Sequence, residues 1–193
     1  VHDVRFSHPS TFFVAGSSGS GKSVFLKKLI TNFDFLFENR IGRVVWCFSA
    51  AQPFFNDKEL EHVEFVHGFD PEVYKRNSEP TFLILDDLMT ELAKSDELSV
   101  FFTKNRHMNL SVAFVTQNLF AKGIPYRTMS LNANYIVVMR MIRDKQQIAT
   151  LVSQMFPDQK RFAKDAILQA TKTPYSYCLL DCKAATAEVL RIR

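Results

Sequence analysis

The sequence predicts an α/β domain, a three-layer sandwich with a mainly parallel central sheet, on three observations. Short apolar runs alternate with stretches of helical periodicity, the pattern of a sheet covered by helices on both faces. Those runs are rich in Val, Ile and Phe with little polar alternation, as strands buried on both faces are. A glycine-rich pattern separates the first run from the first helix. The length of 193 residues suits a single domain. With 47% hydrophobic and 23% charged residues, the composition excludes a mainly disordered chain, a collagen-like repeat and a coiled coil. The expected division is one domain over 1–193, with a motif core over about 8–157 and a basic helix and strand over 158–193.

Taken in order, Phe12–Ala15 reads as the first strand. Gly16-Ser17-Ser18-Gly19-Ser20-Gly21-Lys22-Ser23 follows and matches G-x-x-x-x-G-K-[ST] at every fixed position. Glycines let successive backbone N–H groups curl around a phosphate, and the helix N-terminus adds partial positive charge. The helix is expected over Ser23–Leu29, the second strand over Val44–Phe48 and a weaker one over Val63–Val66. Phe54 and Phe55, beside Pro53, are expected in the core; adenine or a neighbouring subunit are the other surfaces they would suit. Phe82–Leu85 is a strand that ends in Asp86 and Asp87. A helix over Asp96–Lys104 precedes the strand Ser111–Val115, which ends in Thr116-Gln117-Asn118. Tyr135–Met139 is a strand and Lys145–Met155 a helix, broken at Pro157. A helix over Gln159–Ala170 and a last strand over Tyr175–Leu180 complete the chain.

The residue types specify nucleotide chemistry. Lys22 would neutralise the β- and γ-phosphates of ATP, and the Ser23 hydroxyl would hold Mg²⁺. Such a magnesium needs a carboxylate at the end of a neighbouring strand, which assigns Asp86 to its shell and Asp87 to orienting or deprotonating the attacking water. The competing reading is that both acids cap the helix starting near Leu88. Gln117, a polar residue at a strand end, can sense the γ-phosphate or position water; its plainer use is to bond a turn.

Charge and cysteines narrow the setting. The net charge of +4 divides into −1 over residues 1–139 and +5 over 140–193, a basic C-terminal third that permits a polyanionic partner. Cys47, Cys178 and Cys182 are odd in number, lie in apolar stretches and lack zinc-type spacing, which points to a reducing, intracellular compartment. No apolar run approaches the ~20 residues of a membrane helix. Of the 19 phenylalanines, 15 fall between Phe6 and Phe102. Because the chain opens on Val1, its true N-terminus is left open.

The phosphate loop, the Asp86-Asp87 strand end and the run from Asn105-Arg106-His107 to Thr116-Gln117-Asn118 together resemble the FtsK–HerA superfamily of DNA-pumping ATPases. Within it the chain looks most like the poxvirus-type branch of viral genome-packaging ATPases, found in double-stranded DNA viruses, virophages and Maverick/Polinton elements. The resemblance covers about His8 to Pro157 and extends to Arg143-Asp144-Lys145-Gln146-Gln147-Ile148 and Gln154-Met155-Phe156-Pro157. It implies a P-loop NTPase of RecA/ASCE type, with the Gln117 strand between the phosphate-loop strand and the Asp86 strand. It also implies a homo-oligomeric ring, usually hexameric, around double-stranded DNA held without sequence reading, and a capsid or vertex protein as a further partner. Location in an infected cell, or association with the virion, follows from the same resemblance. Arg106 stands where such rings carry an arginine finger that reaches the neighbour's nucleotide; Arg140 and Arg143 are its rivals. Asp87 departs from the commoner Glu, and the chain leaves no room for an added DNA-orienting module. Lys94, Lys104, Lys122, Arg127, Lys160, Arg161 and Lys164 could serve DNA phosphates, but their ordinary reading is a solvated face and none is assigned as a site.

Two other functions share the loop. A small-molecule kinase fits the length, but neither an Arg-rich lid nor an acceptor site is evident. A nucleotide-regulated assembly protein would bind ATP without turnover if Asp87 were too short to act. A GTPase is disfavoured because Thr103-Lys104-Asn105-Arg106 lacks the guanine-reading Asp, and an ABC-type ATPase because the Ser-Gly-Gly signature is missing.

Overall fold

The structure, a computed structural model, describes residues 3–72, 79–92, 101, 107–120, 132–141 and 145–193. Its sheet has seven strands: β1 (Thr11–Ala15), β2 (Arg43–Phe48), β3 (Val63–His67), β4 (Thr81–Asp86), β5 (Leu110–Thr116), β6 (Tyr135–Met139) and β7 (Tyr177–Asp181). The order across the sheet is β3-β2-β4-β5-β1-β6-β7, so β5 lies between β4 and β1 as the resemblance implies. β2 pairs in parallel with β3 and β4, and β4 with β5, while β6 and β7 pair antiparallel. Every residue of β1, β4, β5 and β6 is buried, which accounts for their unbroken apolar reading. The helices are α1 (Lys22–Ile30), α2 (Phe33–Leu36), α3 (Met89–Leu92), α4 (Lys145–Met155) and α5 (Lys160–Ala170). The helix expected over Asp96–Lys104 lies outside the described residues except at Phe101, which is helical.

The chain divides into two compact units, Val1–Phe12 with Ser23–Val115 and Phe13–Lys22 with Thr116–Arg193. In the first, the phenylalanine excess resolves into interlocked rings. Phe12, Phe33, Phe37 and Phe82 meet at centroid separations of 5.1 to 5.9 Å. A second group surrounds the fully buried Trp46: Phe55 stacks on Phe65 at 4.1 Å, and Phe54 and Phe55 both approach the indole. These two phenylalanines are half-buried and cover the core at Trp46 rather than lying within it.

In the second unit, the final strand starts two residues later than its pattern suggests. Tyr175 has φ 65, a left-handed conformation no strand accepts, and sits in a turn closed by Ser176, whose N–H and Oγ both donate to the Thr173 carbonyl (3.2 and 2.6 Å). Beyond β7 the chain is tied down through the buried carboxylate of Asp181, which accepts from Arg193 at 2.9 Å and from the Thr186 hydroxyl at 2.8 Å. Part of the basic C-terminal charge is therefore spent internally. No described helix is long and apolar enough to cross a membrane.

Candidate nucleotide site

The glycine-rich loop leaves β1 and enters α1, the context its pattern requires. Gly16 is required by space: a Cβ there would lie 2.6 Å from Met139 Cβ and 2.7 Å from Ser20 Oγ. Gly21 is required by conformation, with φ 101, and Tyr175 crowds it as well. The Gly16 N–H donates to the Thr116 carbonyl (3.3 Å), the Ser17 N–H to that of Arg140 (3.4 Å) and the Ser20 N–H to that of Ser17 (3.1 Å). The loop is thereby fastened to the ends of β5 and β6, while Ser18 and Gly19 remain exposed.

Lys22 folds back over this loop. Its Nζ donates to the Gly16 and Ser17 carbonyls at 2.8 and 3.1 Å, which ties the ammonium to the loop backbone. A phosphate entering the loop offers that ammonium charged oxygens in place of neutral carbonyls, the stronger kind of hydrogen bond. Ser23, half-buried, follows directly in the first turn of α1.

The two acids of β4 meet different surroundings within the first unit. Asp86 is buried and its Oδ2 accepts from Trp46 Nε1 at 3.2 Å, an indole donor that is itself without exposure. Asp87 is exposed and turns out of the strand with φ 58, its N–H donating to the Val115 carbonyl at 3.2 Å. Asp is one of the few side chains that accept this left-handed conformation readily.

Gln117 is exposed just beyond β5, on a turn held by its neighbours. Thr116 Oγ1 accepts from the Asn118 N–H at 3.2 Å. Gln147 of α4 accepts from the Leu119 N–H at 2.6 Å through Oε1 and donates to Asn118 Oδ1 at 3.3 Å. Gln147 belongs to a run that the sequence singles out without a role for this residue. Sequence assigns no role to Trp46 or Tyr175 either, because an indole in an apolar strand reads as core and a tyrosine next to a strand reads as strand.

Arg106 and Arg143 lie outside the described residues. Arg140 is exposed, and with Ser17, Ser18, Gly19 and Tyr175 it borders a cleft of about 140 Å³ over its own phosphate loop. The three cysteines are free thiols, and burial pushes Cys47 and Cys182 up to about 12 and Cys178 to about 11, so none is a thiolate at neutral pH.

The sequence profile of the poxvirus A32 protein family matches residues 58–171, more than half of the chain. The chain belongs to that family. The matched stretch holds Asp86, Asp87, Arg106, Gln117 and Gln147 but starts after the phosphate loop, so loop and A32 membership are independent observations. A search of curated proteins finds no match. Among solved structures the A32-family chain is similar to the genome packaging NTPase B204 of Sulfolobus turreted icosahedral virus 2 in complex with ATP-gammaS, at 15% identity, TM-score 0.62 and 95% coverage of each chain. It is similar to B204, the DNA-packaging ATPase of Sulfolobus turreted icosahedral virus, at 13% identity, TM-score 0.61 and 96% coverage of each. The cytoplasmic domain of the Thermomonospora curvata Type VII secretion ATPase EccC matches at 14% identity and TM-score 0.58, over 92% of this chain and 24% of that one. Likeness at these identities establishes the fold, a P-loop NTPase fold with a mainly parallel sheet.

Proposed function

We propose that this A32-family chain is the ATPase of a viral genome-packaging motor, hydrolysing ATP to drive double-stranded DNA into a capsid within the infected cell. The observation that carries the reading is the complete phosphate loop, fastened to two strand ends with Lys22 poised over it, in a chain of this family. In this reading Lys22 and the loop N–H groups bind the β- and γ-phosphates, Asp87 holds the attacking water and Gln117 reports the γ-phosphate.

Mg²⁺ bound with the nucleotide supplies positive charge at the phosphates. The donor chemistry fits it: a magnesium held largely by phosphates needs only one or two protein oxygens, and the chain offers a hydroxyl in the first turn of α1 and a buried carboxylate at the end of β4. The Ser23 hydroxyl and the Asp86 carboxylate would be those oxygens. Trp46, which donates to Asp86 Oδ2, would hold that carboxylate in place.

The motor acts as a homo-oligomeric ring, hexameric by resemblance, in which Arg106 meets the neighbour's γ-phosphate. DNA is gripped through its phosphates. Lys160, Arg161 and Lys164 of α5 are exposed and suited to that role; Lys94, Lys104, Lys122 and Arg127 lie outside the described residues. A capsid or vertex protein docks the ring.

Purified chain with Mg²⁺ should hydrolyse ATP, duplex DNA should raise the rate, and Lys22→Ala should lower it by at least about 10²-fold without shifting the melting temperature. Phosphate transfer to a nucleoside with no response to DNA would replace this reading with a kinase.

A further inference from the structure

Tyr175 joins a strained backbone to an exposed side chain. It is a bulky residue held at φ 65, where glycine or asparagine is the usual occupant, and yet the residue is 69% exposed. Strained backbone that exposes an aromatic ring marks a functional position more often than a packing one. The ring lies on the phosphate loop: a Cβ placed on Gly21 would be 3.1 Å from Tyr175 Cδ1 and 3.5 Å from its Cβ. With Arg140 and Pro174 it walls the cleft that opens over Ser17–Ser20. All these residues belong to one compact unit.

A nucleoside triphosphate whose phosphates occupy the loop leaves its base and ribose to find a surface nearby. Every base has a π-face, and an exposed aromatic ring beside the loop offers a matching one. We propose that Tyr175 is the platform on which the base of the bound nucleotide stacks, a proposal that rests on the nucleotide-binding reading above. The turn explains the conformation. The two bonds from Ser176 to the Thr173 carbonyl hold the residue ahead of β7, and the left-handed backbone presents the ring toward Gly21 instead of along the strand. Gly21 in turn has no side chain to separate the ring from the loop. Stacking is tolerant of base identity, so Tyr175 supplies affinity for nucleotides as a class and leaves discrimination among the bases to other groups.

The test compares a ligand that has a base with one that lacks it. Binding of ATP and of inorganic tripolyphosphate, each with Mg²⁺, is measured by calorimetry for the wild-type chain and for Tyr175→Gly, Tyr175→Ala and Tyr175→Phe. Tyr175→Gly removes the ring while suiting the left-handed backbone, so a loss there is not a loss of fold. The expected result is ATP binding weakened on the order of tenfold in the Gly and Ala variants, tripolyphosphate binding unchanged, and ATP affinity retained by Tyr175→Phe. Equal weakening of both ligands would make Tyr175 a support for the loop, and no weakening of either would leave it without a role; both overturn the platform. Wild-type chain that binds tripolyphosphate as tightly as ATP also overturns it while keeping the phosphate loop. Wild-type chain that binds neither overturns the proposed function itself.

Discussion

Asp86 and Gln117 both stand at strand ends, but the regions that carry them hold their side chains in different ways. Asp86 belongs to the unit of Ser23–Val115, where aromatic rings interlock and a fully buried indole donates to the carboxylate. Gln117 belongs to the unit of Phe13–Lys22 and Thr116–Arg193, where the phosphate loop and its surroundings are set by backbone hydrogen bonds, left-handed residues and one glutamine from α4. Packing energy is spread over many neighbours, whereas a turn depends on a few directional bonds. The first region should therefore fail by unfolding, and the second by losing function while still folded.

The largest expected effect tests the first half of that contrast. Phe82 has no exposure, and its ring contacts those of Phe12, Phe33 and Phe37 at 5.6, 5.1 and 5.8 Å. Phe82→Ala removes the shared partner and leaves a cavity, at a cost of about 3–5 kcal/mol. For a chain of this size that lowers the melting temperature by roughly 10 °C, read by calorimetry or circular dichroism. A drop of only about 2 °C would show that the rings repack and that this region is not held by their fit.

Gln147→Ala tests the other half. It removes the acceptor of the Leu119 N–H and the donor to Asn118 Oδ1, freeing the turn that carries Gln117. Loss of about 1 kcal/mol of positioning corresponds to a roughly fivefold slower turnover. KM for ATP should stay within about twofold and the melting temperature within about 3 °C. A variant that unfolded as readily as Phe82→Ala would erase the distinction between the two regions.

The same contrast governs what the sequence made legible. Buried strands announce themselves through unbroken apolar runs, so β1, β2, β4, β5 and β6 fall where the composition of Val, Ile and Phe places them. The glycine-rich loop falls between β1 and α1 and Asp86 at the end of β4, positions that residue types at fixed spacing and an acid closing an apolar run place from sequence. Tyr175 reads in sequence as the start of a strand, because a local apolar pattern carries no sign that Ser176 closes a turn onto Thr173. The short helix Phe33–Leu36 was missed since two of its four residues are aromatic and its stability comes from Phe33 packing on Phe37 and Phe82. Trp46 and Gln147 act through partners 40 and 28 residues away, a distance at which local pattern carries no signal.

The smallest effect concerns His8, which joins two segments of the first unit. It is 7% exposed, with Nδ1 at 2.7 Å from Ser111 Oγ and Nε2 at 3.1 Å from Asn109 Oδ1. Ser111 Oγ already accepts from the Ser10 N–H at 3.0 Å, so its hydroxyl proton is left to point at Nδ1, while Nε2–H donates to Asn109. A neutral imidazole satisfies this chain of bonds, whereas a protonated Nδ1 would turn a donor against the Ser111 hydroxyl proton. Burial lowers the His8 pKa below its ordinary 6.5, with the Asn109 bonds opposing it. Above about pH 6.5 folded and unfolded chains are both neutral at this ring, and its contribution to stability is complete. As the pH falls below 6.5, the unfolded chain takes up a proton that the folded chain resists, so stability declines with acidity. Urea midpoints measured between pH 7.5 and 5 should fall more steeply for the wild-type chain than for His8→Gln, which cannot titrate. Parallel curves would show that the imidazole is no more reluctant to protonate in the fold than outside it.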